Sequence, residues 1–123
     1  MLNKNILYHV HKEGFKKEEI YGAYKIFFGT LVSESRLKII NLLRKGEKSV
    51  SKIVDALKIS QPKVSHDLAR LKKCGFVKVR IVKNFRHYSL NKKTIFPLMK
   101  LIDCHMSKYC IHILHKMKGD LKK

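Results

Sequence analysis

The chain is short of acid. Only 9 of its 123 residues are Asp or Glu, against 28 Lys and Arg, leaving a formal net charge of +19. An excess of that size repels itself in a compact fold, and a polyanion is the natural counter-charge. Nucleic acid is therefore the first partner to consider. A lysine-rich proteome is the competing explanation, but that bias raises Glu together with Lys, and Glu is scarce here. So few carboxylates also leave little for general acid–base chemistry. There is no glycine-rich phosphate loop and no Ser/His/Asp set in a motif context, so an enzyme is not expected. Long apolar runs are missing as well: none approaches the ~18 to 20 residues that span a bilayer. Met1 to His11 contain no long apolar stretch and no small-residue cleavage site, so a leader peptide is not expected. The expected location is the cytoplasm, with no membrane partner. Cysteine is sparse, odd in number and without framework spacing (Cys74, Cys104, Cys110). That usage fits reduced thiols rather than disulfides. Repeats, low-complexity stretches and Gly/Ser linkers are also lacking.

What is present is enough for a core. Hydrophobic residues make up 45% of the chain, and the length suits one domain. The expected division is an N-terminal arm or short extra helix over 1–15, one folded unit over 16–118, and a basic tail over 119–123. From Lys16, Ile20, Tyr24, Phe27, Phe28 and Leu31 recur at helical spacing. Ser33 can cap a second helix with Leu37, Ile40 and Leu43 inward, closed by Gly46. Ser49 or Ser51 opens a short third helix carrying Val50, Ile53, Val54 and Leu57. After a tight turn, Ser60 caps a fourth, with Pro62 in its first turn and Val64, Leu68 and Leu71 inward, up to Gly75. The period then changes to two. Val77, Val79 and Ile81 alternate with Lys78 and Arg80, Asn84 supplies a turn, and residues 86–90 return as a partner strand. A long helix follows from about Thr94 to Met117, with Leu98, Ile102, Met106, Tyr109 and Ile113 on one stripe.

The predicted order is α-α-α-α-β-β-α, mainly helical with a β-hairpin wing. Two short helices joined by a tight turn and followed at once by a basic hairpin form a winged helix-turn-helix. In such a unit the second helix reads the major groove with its N-terminal residues, here Gln61, Lys63, Ser65 and His66. Gln61 can pair with adenine, Ser65 and His66 can reach base edges or phosphate, and Lys63 suits phosphate. These side chains could instead be an ordinary solvated helix face. At the wing, Lys83 and Arg86 flank Asn84, and Arg80 and Lys83 would set positive charge beside the duplex. An ordinary soluble hairpin is the alternative there.

Residues 30–90 resemble the arsenic-repressor (ArsR/SmtB) family of bacterial and archaeal metalloregulators. The resemblance rests on Ser35-Arg36-Leu37, on the run Leu57 to Ser65, on Leu68 through Gly75-Phe76-Val77, and on His87-Tyr88-Ser89-Leu90 in the wing. It implies a homodimer whose first and last helices pair across a two-fold axis, bound to a near-palindromic operator in double-stranded DNA. It also implies repression relieved by an effector. The family's Cys-x-Cys sensor box corresponds here to Ser49 and Ser51, and hydroxyls are poor ligands for soft metals. A second family site, on the last helix, resembles Asp103-Cys104-His105 followed by Cys110, His112 and His115. Types and order agree, but the step from His105 to His112 is one helical turn short. The implied effector is a divalent ion such as zinc, then arsenite (which Cys104 and Cys110 partly resemble a site for), then thiol oxidation. On a continuous helix at ~100° per residue, Cys104, His105, His112 and His115 share an arc of roughly 100°, with Asp103 and Cys110 nearly opposite. One helix cannot close that coordination sphere, so a site would borrow from the partner subunit. Packing or solvation of these residues is the plain alternative. Cys74 is expected to pack. A non-specific architectural DNA-binding protein without an effector is the rival function, separable by the ratio of specific to random-sequence affinity.

Overall fold

Short polar side chains start most of the helices. In the computed structural model, which describes residues 2–121, Asn3 caps α1 (Lys4–Lys12), accepting from the Asn5 N–H at 2.8 Å. A single 3-10 turn over Lys17–Glu19 leads into α2 (Ile20–Val32). Ser33 then caps α3 (Glu34–Leu43), accepting from the Arg36 N–H at 3.3 Å. A short strand β1 (Lys48–Ser49) precedes α4 (Val50–Leu57), which Ser49 caps through the Lys52 N–H at 3.4 Å. Ser60 caps α5 (Gln61–Lys73) through the Lys63 N–H, also at 3.4 Å, with Pro62 in the first turn. Each such cap stabilises by about 1 kcal/mol. Between α4 and α5, Lys58 takes the left-handed conformation at φ 57° and donates its N–H back to Val54. That single residue turns the chain between the two helices.

Strands β2 (Val77–Val82) and β3 (Phe85–Leu90) form the hairpin, with Val82 opposite Phe85. Lys83 and Asn84 fill the two-residue turn, at φ 48° and 71°. Positive φ at both positions is the type I′ signature that suits twisted strands, and Asn tolerates it well. β1 adds to the other edge of β3, giving an antiparallel sheet of order β1-β3-β2. The core end of the hairpin is buried at Val77, Tyr88 and Leu90, whereas Ile81 and Phe85 are each 66% exposed. The wing therefore projects beyond the body.

The core lies where α3, α4 and α5 meet the sheet and the start of α6 (Ile95–Lys108). It is built from Ile39, Ile40, Leu43, Ile53, Val64, Leu68, Leu71 and Phe76, joined by Ile95 and Met99. Each fully buried side chain of this kind stabilises by about 1.5–3 kcal/mol. Phe27 of α2 stacks on Phe76, with ring centroids 5.1 Å apart.

The architecture is the winged helix-turn-helix expected from the sequence. Two details differ. β1 makes the hairpin a three-stranded sheet. The long helix expected from Thr94 to Met117 is two: α6 ends at Lys108, and α7 (Cys110–Leu121) follows. Tyr109 between them has φ −127° and ψ −66°, outside the helical range. No proline or glycine marks this site. Ser107 Oγ donates to the Cys104 carbonyl at 2.7 Å, and hydroxyls that bond back to the preceding turn bend helices. The expected basic tail over 119–123 begins inside α7, and its last residues, 122–123, lie outside the described residues. Among the described residues no helix is long and apolar enough to cross a membrane.

Candidate nucleic-acid interface

Helix α5 turns Val64, Asp67, Leu68 and Leu71 into the body and everything else outward. Gln61, Lys63, Ser65 and His66 are all exposed on its first turns, where the sequence placed them. Further along the same outward face lie Ala69, Arg70, Lys72 and Lys73. An open cleft separates this helix from the wing. Val50, Ala69 and Tyr88 floor it, and Ser65, Lys72, Lys73 and Arg86 line it. Arg86 of β3 thus shares one concave surface with Ser65 of α5. Lys83 is exposed at the wing tip. Lys72 and Lys73 were not among the sequence candidates, because they lie at the C-terminal end of α5, far from the turn with which such a helix reads bases. The signal was the pair of lysines on the outward side of the inner Leu68/Leu71 stripe.

One wing charge carries its own acid partner. Arg80 is exposed but paired with Glu47. Its Nε donates to Glu47 Oε2 at 2.8 Å and its Nη2 to Glu47 Oε1 at 2.8 Å. This two-pronged pair joins the base of the wing to the loop after α3. The Arg80 hydrogen bonds hold the Glu47 carboxyl below its ordinary pKa, outweighing some desolvation. The same contact raises Arg80.

The orientation of α5 is fixed by a buried polar cluster. Asp67 is fully buried. Ser35 Oγ donates to its Oδ2 at 2.6 Å, and Arg36 Nη1 to its Oδ1 at 3.3 Å. Lys63 Nζ lies 3.8 Å from the same oxygen while staying half exposed. Arg36 also donates through Nε to the Thr30 carbonyl at 2.8 Å and through Nη2 to the Gly29 carbonyl at 3.3 Å. It therefore ties the last turn of α2 to α5. Cys74 packs against the core and sits 3.4 Å from the Thr30 hydroxyl.

The possible metal ligands of α6 and α7 are arranged less favourably. Asp103 is engaged by Arg44 Nη1 at 2.6 Å. Cys104, His105, Cys110, His112 and His115 are exposed, and the break at Tyr109 separates the first two from the rest. The His105 ring lies against Tyr109, with centroids 4.8 Å apart. Among the described residues no three His, Cys, Asp or Glu gather as a metal site would require. The shared arc drawn for a continuous helix does not survive the break. Thiol and imidazole suit a borderline ion chemically, but these residues do not fit a closed site within one protomer. Ser49 and Ser51, at the other sensor position, hydrogen-bond to each other at 3.2 Å, and Ser49 caps α4.

Comparison with known proteins follows the same residues. Residues 33–79, from the cap of α3 into β2, match the family described as "Bacterial regulatory protein, arsR family". A helix-turn-helix transcriptional regulator of Methanocaldococcus jannaschii is 40% identical over 86 residues, 69% of this chain and 97% of that protein. A probable mercury resistance operon repressor of Streptomyces lividans is 33% identical over 78 residues, 63% of this chain. The match spans 62% of that repressor's length, under two thirds of it. Among solved structures, a homodimeric winged helix-turn-helix DNA-binding domain from Mycobacterium bovis superposes with a TM-score of 0.71. It is 23% identical, and the match covers 80% of this chain and 94% of that one.

Proposed function

Because the chain belongs to the ArsR family of helix-turn-helix transcriptional regulators, we propose that it is a sequence-specific repressor that binds duplex DNA as a homodimer. The observation that carries this reading is the cleft where Ser65, Lys72 and Lys73 of α5 face Arg86 of the wing, continuous with the polar first turn of α5. A major groove admits one helix. With α5 in it, Gln61 would pair with an adenine edge, and Ser65 and His66 would meet neighbouring bases or phosphate. Lys72, Lys73, Arg86 and Lys83 meet phosphates on either side, which fixes register without reading sequence. Asp67 puts no charge on that surface, because it is buried beside Arg36.

A dimer is supported by apolar side chains left bare on α2 and α6. Tyr24 and Phe28 are 38% and 57% exposed, and Leu101 and Met106 are 69% and 40% exposed. Two-fold pairing through these helices would set the two reading helices about 34 Å apart, matching a near-palindrome. Release by an ion is the finer part of the proposal. Since the donors do not converge in one protomer, a zinc-like ion or arsenite would have to be held by Cys104, His105, Cys110, His112 or His115 of two protomers, with Asp103 first leaving Arg44.

The test is anisotropy with an operator selected from random sequence. Specific binding should exceed random-duplex binding by about 10³-fold or more at physiological salt. Equal affinities would leave the non-specific architectural reading in its place.

A further inference from the structure

Helices α2 and α5 leave a second cleft between them, on the other flank of α5 from the wing, with Lys73 on the border common to both clefts. It measures about 500 Å³, within the ~300 to 1,000 Å³ usual for small-ligand sites. Ala23, Ile26 and Phe27 of α2 supply its apolar wall, and Arg70, Lys73 and Cys74 complete it. The charged groups lining it are both cationic. Arg70 is held in place: its Nε donates to the Thr30 hydroxyl at 3.1 Å, and that hydroxyl is fully buried and donates on to the Ile26 carbonyl at 2.7 Å. Among the described residues the terminal nitrogens of Arg70 have no hydrogen-bond or ion-pair partner. A guanidinium oriented at one edge and open at the other suits two-pronged capture of a carboxylate.

We propose that this cleft binds a small amphipathic carboxylate, its apolar part on Ala23, Ile26 and Phe27 and its head on Arg70 and Lys73. Ala23 and Phe27 also border Tyr24 and Phe28, but at ~100° per residue Ile26 lies about 160° around α2 from both, so a second copy seated on Tyr24 and Phe28 would leave the Ile26 side of the cleft open. The ligand would act on the reading helix through Thr30. The Thr30 carbonyl accepts from Arg36, which holds Asp67 of α5, and the Thr30 hydroxyl accepts from Arg70. Drawing Arg70 toward a carboxylate loosens α5 from α2 and removes a positive charge from the outward face of α5. This regulatory consequence rests on the DNA-binding reading above, whereas the site itself does not.

The experiment is calorimetric titration of the full chain, without DNA, using octanoate, octanol and octylamine. Octanoate should bind saturably at one site per chain. Octanol should bind about tenfold more weakly, or worse, for want of the charge-assisted bonds, and octylamine should not bind. Arg70→Gln should weaken octanoate by a similar factor. Ile26→Trp should fill the cleft and abolish binding while circular dichroism stays unchanged. No saturable heat, equal binding of all three probes, or wild-type binding by both variants would overturn the site. In a second arm, saturating octanoate should lower operator affinity about tenfold in the wild type and not in Ile26→Trp. Unchanged wild-type affinity would overturn the coupling. If ligand-free protein cannot tell operator from random duplex, the repressor reading fails while the octanoate heat stands.

Discussion

A carboxylate on a helix that must approach phosphate is a liability unless its charge is neutralised inside. Asp67 meets that condition through Arg36 and Ser35, with Lys63 behind. Removing it leaves the Arg36 guanidinium, only 16% accessible, without its anion. Breaking a buried pair from one side costs about 3–5 kcal/mol. Asp67→Ala should therefore lose about that much stability in urea unfolding, with Asp67→Asn milder. A loss under about 1 kcal/mol would show that the pair does not anchor α5. The outward residues should behave in the opposite way, changing binding and sparing stability. Gln61→Ala should relax preference at one base position, worth about 1–3 kcal/mol of discrimination. Arg86→Ala should weaken all duplexes alike. Binding measured across a panel of single-base operator variants separates the two, and a uniform loss for Gln61→Ala would remove it from base reading.

At the scale of elements, the wing carries a charge pair that the sequence could not reveal. Arg80 and Glu47 are 33 positions apart, and only the pairing of β1 with β3 brings the α3 loop beneath the hairpin. The helix-turn-helix itself was legible because its signals are local: Ser33, Ser49 and Ser60 cap, Pro62 starts α5, and Val64, Leu68 and Leu71 keep helical spacing. The break at Tyr109 was not legible, since a serine back-bond bends a helix without any helix-breaking residue. The outward set Gln61, Lys63, Ser65 and His66 was readable from periodicity, but the lysines completing the cleft depend on where the wing folds. The Arg80 pair makes two expectations. Glu47→Gln should release Arg80 toward phosphate, raising affinity for all duplexes and steepening the salt slope by about 1 per protomer. An unchanged slope would mean that Arg80 points away from DNA even when free. The Glu47 carboxyl titrates below its ordinary value in the folded state. The pair is therefore intact above the ordinary carboxylate range and is lost only as pH falls through the lowered value. Carbon-detected titration of Glu47 should show that depressed midpoint, and Arg80→Ala should return it to the ordinary range.

At the scale of the molecule, charge and apolar surface divide the labour. The net charge of +19 supplies attraction to any duplex, so it cannot by itself select an operator. On the proposed reading, selection needs two reading helices in fixed register, and that register would depend on the helices joining two protomers. Phe28 on α2 and Leu101 on α6 are well exposed in the single chain, at 57% and 69%. Neither belongs to the buried core, so replacing them should leave the fold intact. Phe28→Glu with Leu101→Glu would place four like charges across a two-fold interface and should yield a monomer by sedimentation at micromolar concentration, with an unchanged circular dichroism spectrum. Each half-site would then be bound independently. The second half-site would lose the advantage of being tethered, worth about 10²- to 10⁴-fold in overall affinity. The double variant should accordingly bind a two-half-site operator by that factor more weakly, yet match the wild type on a single half-site. Salt gives the same division a second reading, because each protomer releases its own counterions. The slope of log affinity against log salt for the monomer should be about half that of the dimer. A wild type that sediments as a monomer, or a double variant that keeps full operator affinity, would mean that these faces do not set the register.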